Sequence, residues 1–472
     1  MARSGDRGSL SVRAGSAPLL RTLPGGVDLL ALHQSDPTQF PYLLASSARN
    51  STTGRYDILF AFPGETLALH VDEEEAAGVS GMSCGFLAAF DSAWQSERTA
   101  FSDLPDVPFR GGWFVYLAYE LAEEIEPRLR LPRDDGSLPM AFATRIPAAL
   151  IVDHERQCTH LVAESDRADC LARLETAVSA NARRQTGELP PLDDWEEDPP
   201  RTYLDNVLRI KDYIAAGDVF QVNLSRAWRG RWNSPQNPAH VYRHLALANP
   251  GPFSALAVTP WGSVVSSSPE RLVKVRDRCV ETRPIAGTRP RGATPAQDEA
   301  LLQVLIGHPK ERAEHVMLID LERNDLGRVC VPGSVRVDEL MALESYAHVH
   351  HIVSNISGTL REGVGPADVL RAVFPGGTIT GCPKVRCMEI IAELEQIGRG
   401  AYTGAMGYVN RDGSMDFNIL IRTLVMAANG QSLTLRAGAG IVADSDPQAE
   451  LAETRAKARG LLRALQKDGS VD

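Results

Sequence analysis

Near its C-terminal end the chain writes three strands in a row, separated by tight-turn dipeptides. GAMGYV (404–409) leads through Asn410-Arg411-Asp412-Gly413 into MDFNILIRTLVM (415–426), and Asn429-Gly430 then leads into SLTLRAGAG (432–440). Asp-Gly and Asn-Gly supply the conformations that close two-residue hairpins, so this run predicts an antiparallel meander. Shorter apolar runs, YDILFAF (56–62), TLALHV (66–71) and AALIV (148–152), read as further strands, and SALAVTPWGSVVSSSPERLVKV, from 254, reads as a hairpin.

Helical spacing appears between the strands. Tyr203, Val207, Ile210 and Ile214 share one face, and Gly217 ends that helix. The last helix is expected to start at Asp446-Pro447, a capping residue followed by a first-turn proline. Four segments follow: a frayed terminus (1–17), an N-terminal region (18–180), an acidic proline-rich linker (181–200) and a C-terminal region (201–467). The net charge of −11, with no basic patch among aromatics, argues against nucleic acid, and no stretch resembles a membrane span. Seven scattered cysteines read as reduced thiols of a cytoplasmic protein.

The segment KERAEHVMLIDLERND (310–325) sets Glu311 and Glu314 three residues apart, on one face of a helix too apolar to be fully solvated. Glu450 and Glu453 repeat the spacing on the last helix. If the four carboxylates converge, a divalent cation relieves their repulsion, and oxygen-only ligands favour Mg²⁺ over Zn²⁺. The plain alternative is two amphipathic helices with solvated acids. Arg422 lies in an almost wholly apolar run, so its charge needs a partner: a structural carboxylate or the carboxylate of a substrate. Lys457 follows Glu453 by one turn. In SYAHVHHIVSN, His348 and His350 share one strand face and His351 the other, a spacing that suits no common zinc site. GGTITGCPK (376–384) mimics a phosphate loop, but Cys382-Pro383 interrupts it before Lys384. AGAG (437–440) offers backbone N–H groups for an anion.

Taken together, GDVFQVNLSR, SSPERL, RPIAGTRPRG, KERAEHVMLIDLERNDLGRVC, TITGCPKVRCMEII, MDFNILIRT and AGAGIVADSDPQAE resemble the chorismate-utilising enzymes, and within them component I of aminodeoxychorismate synthase. The resemblance is dense over 203–460 and thinner over 18–165. It implies an α+β fold, a large antiparallel two-sheet core flanked by helices, with the site in a cleft between the sheets. It implies Mg²⁺ held directly by Glu314 and Glu453, with Glu311 and Glu450 behind through water. Arg422, Tyr402 and the backbone N–H groups of Gly438 and Gly440 would hold the enolpyruvyl carboxylate of chorismate. Lys457 and Thr288 would line the pocket, and His351 would help the C4 hydroxyl depart.

Relatives that add water carry a lysine base where this chain has Gln221; a glutamine cannot deprotonate water, so ammonia is the expected nucleophile. The resemblance implies a separate glutamine amidotransferase subunit as its source. The expected product is 4-amino-4-deoxychorismate, on the way to p-aminobenzoate and folate. Many such enzymes carry a nucleophilic lysine where this chain has Ala286, as anthranilate synthases do, which closes that covalent route here. Anthranilate synthase component I is therefore the alternative, and a non-catalytic amino-acid-binding scaffold the rival from another class. Leu43-Leu44-Ala45-Ser46 resembles a tryptophan-binding pattern, with Ser46 as its candidate contact.

Overall fold

The structure is a computed structural model that describes residues 13–48, 54–70, 85–101, 105–134, 138–180, 187–292, 294–307, 309–345 and 349–465. Two large sheets dominate, one of twelve strands and one of ten among the described residues, and neighbouring strands in both run antiparallel. The α+β expectation of two antiparallel sheets flanked by helices holds.

Both sheets mix strands from distant parts of the chain. In the larger one, Phe253–Thr259 pairs with Gly262–Ser268 on one side and with Tyr42–Ala45 on the other. In the smaller one, Gly112–Leu117 pairs with Ala405–Asn410, which pairs in turn with Met415–Ile419. The reason is visible in GWFVYL. Phe114 and Tyr116 point into the layer between the sheets, while Trp113, Val115 and Leu117 point to the helix-covered face. A strand buried on both faces has no solvent side, so it must sit inside a sheet with covers on both sides. The layer between the sheets takes Tyr42, Phe60 and Ala255 from one and Phe114, Phe142 and Met406 from the other. Its tightest aromatic contact stacks Tyr42 on Phe114 with ring centroids 4.0 Å apart.

The predicted meander is present with one correction. MDFNILIRTLVM is not one strand. Met415–Ile419 belongs to the ten-stranded sheet and Thr423–Ala427 to the twelve-stranded one. The chain crosses between them at Leu420–Arg422, and Arg422 adopts a left-handed φ of 53°. Ser267 donates its backbone N–H to the Arg422 carbonyl at 3.0 Å, which pins the crossing. A continuous apolar run conceals such a switch, because both halves are buried. SALAVTPWGSVVSSSPERLVKV divides the same way: its hairpin lies in the twelve-stranded sheet and Arg271–Arg276 in the ten-stranded one.

The Pro447–Leu465 helix starts where expected, with Asp446 Oδ1 accepting the Ala449 N–H at 2.8 Å. It buries Leu451, Thr454, Ala458, Leu461 and Leu465, a stripe at helical spacing. Pro309–Gly327 packs on the opposite sheet, against Ile285–Pro290 and Val349–Thr359. It buries Leu318 and Ile319, but Val316, expected inside, is 53% exposed. Within 187–200, Asp194–Glu197 forms an edge strand of the larger sheet, and Arg13–Gly15 pairs in parallel with Thr99–Phe101. Among the described residues no helix is long and apolar enough to cross a membrane.

Candidate active site

The sheet-crossing sets Arg422 near Glu453 of the Pro447–Leu465 helix and His351 of the Val349–Thr359 strand, and the candidate cleft is built around it. Arg422 is fixed there by its backbone, yet its guanidinium has no hydrogen bond or ion pair among the described residues. Burial lowers its proton affinity, while Tyr402 and Glu453 raise it. A half-buried cation with no direct partner is favoured by something anionic that completes it.

Tyr402 stands beside it. Burial pushes its hydroxyl up to about 12, so it is a neutral donor. A Cβ on Gly438 would come within 2.8 Å of that hydroxyl and 2.8 Å of Asn223 Oδ1, and one on Gly440 within 2.2 Å of Gln221 Nε2. The two glycines therefore permit the approach of side chains a larger residue would exclude. AGAG lies inside the Ser432–Ile441 strand, where Gly438 and Gly440 sit opposite Ser225 and Asn223. Asn223 Oδ1 and Gln221 Oε1 are buried acceptors without a partner.

Lys457 bonds the Gly438 carbonyl at 3.0 Å and the Glu453 carboxylate at 2.6 Å. Glu450 and Glu453 both act on Tyr203, whose buried hydroxyl has no hydrogen-bond partner and is pushed up, first by burial and then by these two carboxylates. The Glu453 side chain is 48% exposed. Glu314 is half-buried on its helix, next to His315, whose Nε2 bonds Ser354 Oγ at 2.7 Å. The donor set is carboxylate oxygen throughout, which suits a hard divalent cation. Among the described residues no three metal-ligating side chains gather into a finished cage; the Glu311 side chain lies outside the described residues.

His351 is 7% exposed, and its Nδ1 donates to the Gly287 carbonyl at 3.4 Å. Burial pulls it down to about 4, with Arg422 adding to the effect, so the ring is neutral at neutral pH with Nε2 as an acceptor. Its neighbour His350 faces away, to Ser345 and Asp298. Ala286 and Thr288 flank a bulge at Gly287 (φ 65°), opposite Ile352 and His351; their side chains, like that of His348, lie outside the described residues.

Two groups were not singled out from the sequence. Glu270, in SSPERL, is 5% exposed, and burial pushes it up to about 7 against the pull of the Ile285 N–H and Lys457. A carboxylic acid with that affinity is poised to donate or accept a proton near neutrality. Its flanking Ser-Pro and Arg could not reveal this, because the shift comes from burial alone. The second group is structural: Glu395 joins Arg399 at 2.7 Å and Arg436 at 2.8 Å and accepts the Ser225 N–H at 2.8 Å. It ties the Lys384–Glu395 helix to the strand that carries the two glycines and to the strand paired with it.

Ser46 is not in this cleft. It is 3% exposed, its hydroxyl donates to the Ala48 carbonyl at 2.6 Å, and its N–H goes to Asp57. Leu44 and Ala45, beside it, line a separate cavity of about 320 Å³ with Phe253, Met406, Tyr408 and Asn418. The MDFN motif therefore reports on that cavity rather than on the cleft. GGTITGCPK is no phosphate cradle, since Lys384 is engaged by Asp325 at 2.5 Å.

The sequence was also compared with known proteins. The family described as chorismate binding enzyme matches residues 43–463. An anthranilate synthase component I-like protein of Synechocystis is 46% identical over 360 residues, 76% of this chain and 74% of that protein. Aminodeoxychorismate synthase component 1 of Bacillus subtilis is 43% identical over 392 residues, 80% and 82% of the two chains. Anthranilate synthase component I of Streptococcus pneumoniae superposes with a TM-score of 0.75 at 30% identity, covering 88% of this chain and 93% of that one.

Proposed function

Since the chain belongs to the chorismate-binding enzyme family, which spans residues 43–463, we propose that it aminates chorismate with ammonia. The observation that carries this is Arg422: a cation in the cleft, without an ion-pair partner among the described residues, beside the Tyr402 hydroxyl. A small dicarboxylate supplies the missing anion. Arg422 and Tyr402 take the enolpyruvyl carboxylate, with the N–H groups of Gly438 and Gly440 alongside. Glu314 and Glu453 are assigned to Mg²⁺, with Glu311 and Glu450 behind; the ion, when bound, neutralises the ring carboxylate. Lys457 orients Glu453. Glu453→Gln is expected to raise the Mg²⁺ concentration for half-maximal rate by about 10–100-fold, with a matching shift in Mg²⁺-dependent chorismate binding.

The proton for the departing C4 hydroxyl is assigned to Glu270, which is protonated below about 7. His351 in its neutral form presents Nε2 as an acceptor near Arg422. The nucleophile is ammonia. Gln221 has no basicity with which to activate water, and its unpartnered Oε1 accepts an N–H. A glutamine amidotransferase subunit as the ammonia source, and a cytoplasmic location, belong to this proposal.

Two aminations fit. Amination at C2 with loss of pyruvate, giving anthranilate, is favoured by Ala286 and by the names of two of the three matched proteins. Amination at C4 is favoured by Gln221-Val222-Asn223, whose Asn223 Oδ1 points at Gly438 inside the cleft. Ser-Pro-Glu-Arg, Thr-Ile-Thr-Gly and MDFN also resemble the C4-aminating enzymes, but Met415, Asp416 and Asn418 of MDFN line the separate cavity. Product analysis decides. The purified chain is mixed with chorismate, Mg²⁺ and ammonium at alkaline pH, and the products are resolved by mass. Anthranilate with equimolar pyruvate is the expected result. An amine that keeps the enolpyruvyl group transfers the chain to the C4 branch, and isochorismate alone refutes amination. The cavity beside Ala45 and Ser46 is proposed as an amino-acid pocket, with tryptophan as the candidate.

A further inference from the structure

The Pro309–Gly327 helix carries Glu311 and Glu314 near its start, yet little there holds the helix to the sheet beneath it. Among the described side chains of residues 309–317, Arg312, Ala313 and Val316 are exposed and Glu314 and Met317 are half-buried. Only His315 is buried, and its Nε2 lies 2.7 Å from Ser354 Oγ. Ser354 is fully buried on the Val349–Thr359 strand, the strand that also carries His351. The Ser354 hydroxyl accepts the Met341 N–H at 2.9 Å. Met341 sits in a bulge of the Arg336–Ser345 strand, where the register shifts between Glu339 and Ala342. Its φ of 51° falls in the left-handed region that residues other than glycine seldom occupy. Bulges re-aim single groups beside functional sites. This one delivers an N–H to the Ser354 oxygen, which leaves the hydroxyl proton for His315.

Stability alone does not account for this contact. His315 Nδ1 is buried and has no hydrogen-bond partner among the described residues. An apolar ring of similar size would occupy the position without an unfilled polar atom. What the imidazole adds is direction. Apolar packing tolerates changes of shape and small rotations, whereas a short hydrogen bond between two buried groups holds only over a narrow range of angles. With His315 turned to the strand, helical geometry sets Glu314 about 100° round the helix from it. We propose that His315 and Ser354 are positioning residues, whose hydrogen bond fixes the rotation of this helix and so aims Glu314 at bound Mg²⁺. The inference rests on the assignment of Glu314 and Glu453 to the ion.

The test is a Mg²⁺ titration of chorismate binding by calorimetry, run beside a Mg²⁺ titration of turnover. Ser354→Ala and His315→Phe are each expected to raise the Mg²⁺ concentration for half-maximal binding about tenfold or more, with kcat at saturating Mg²⁺ little changed. His315→Gln, whose side-chain amide can still reach Ser354 Oγ, is expected to stay close to the wild type. Leu318→Ala removes buried packing from the same helix. It is expected to lower the melting temperature and leave the Mg²⁺ requirement unchanged. If His315→Phe does not fold, Ser354→Ala decides, since it removes a single oxygen. An unchanged Mg²⁺ requirement in folded Ser354→Ala overturns the positioning role, and so does an equal rise in Leu318→Ala. Glu453→Gln is the reference. If it too leaves the requirement unchanged, the assignment of the ion falls and the positioning role with it. If it shifts the requirement and Ser354→Ala does not, only the positioning role falls.

Discussion

Replacing Arg422 by methionine is expected to lower kcat/KM for chorismate by about a hundredfold to a thousandfold, mostly through KM, because the proposed charge-assisted contact with a substrate carboxylate would disappear. The same change is expected to leave the melting temperature unchanged or to raise it. The half-buried guanidinium has no ion pair among the described residues, so a shorter apolar side chain removes a desolvation cost rather than a contact. The pairing of the two readouts is what identifies the role. A structural arginine would lose stability along with activity. A melting temperature that falls by several degrees with little change in KM would remove Arg422 from substrate binding.

Glu270→Gln is expected to cut kcat by about 10²–10⁴-fold with little change in chorismate KM, since the amide keeps the shape but has no acidic proton. In the wild type, the limb governed by Glu270 falls as pH rises through about 7. Free ammonia rises with pH, so the two trends oppose each other and the measured rate with ammonium peaks between them. Stability carries a related signature. Burial raises the folded value from 4.5 to about 7, so the folded state keeps a proton that the unfolded chain gives up within that interval. Its contribution is full below 4.5 and is lost as pH rises through 7. Denaturant titrations at pH 5 and 8 should therefore show a smaller pH dependence for Glu270→Gln. An unchanged kcat and an unchanged pH slope would together remove Glu270 from proton transfer.

Much of this architecture is legible in the residues because hairpin chemistry is local. Asn429-Gly430 and Asp412-Gly413 mark their turns where the structure has them, and Asp446-Pro447 starts its helix. The family resemblance likewise named Arg422, Tyr402, Gly438 and Lys457, which lie next to one another in the fold. Other features escaped because they depend on what lies across space. The break at Leu420–Arg422 is invisible in a run that is apolar on both sides of it. The proton affinity of Glu270 comes from layers of protein that its neighbours in sequence do not specify. The MDFN motif was read as a mark of the reaction, yet Asn418 donates to Phe253 and accepts from Met406 at another cavity.

The interleaving of strands also has a consequence for how the protein is made. Gly112–Leu117 lies against Ala405–Asn410, about 300 residues further along. Ala141–Ile146, the partner of Gly112–Leu117 on the other side, follows closely, but at a synthesis rate of roughly 5–20 residues per second the Ala405–Asn410 edge waits about 15–60 s to be made. During that time an apolar strand with two uncovered faces is exposed in a crowded cell. The ten-stranded sheet therefore cannot be completed before the C-terminal strands are made.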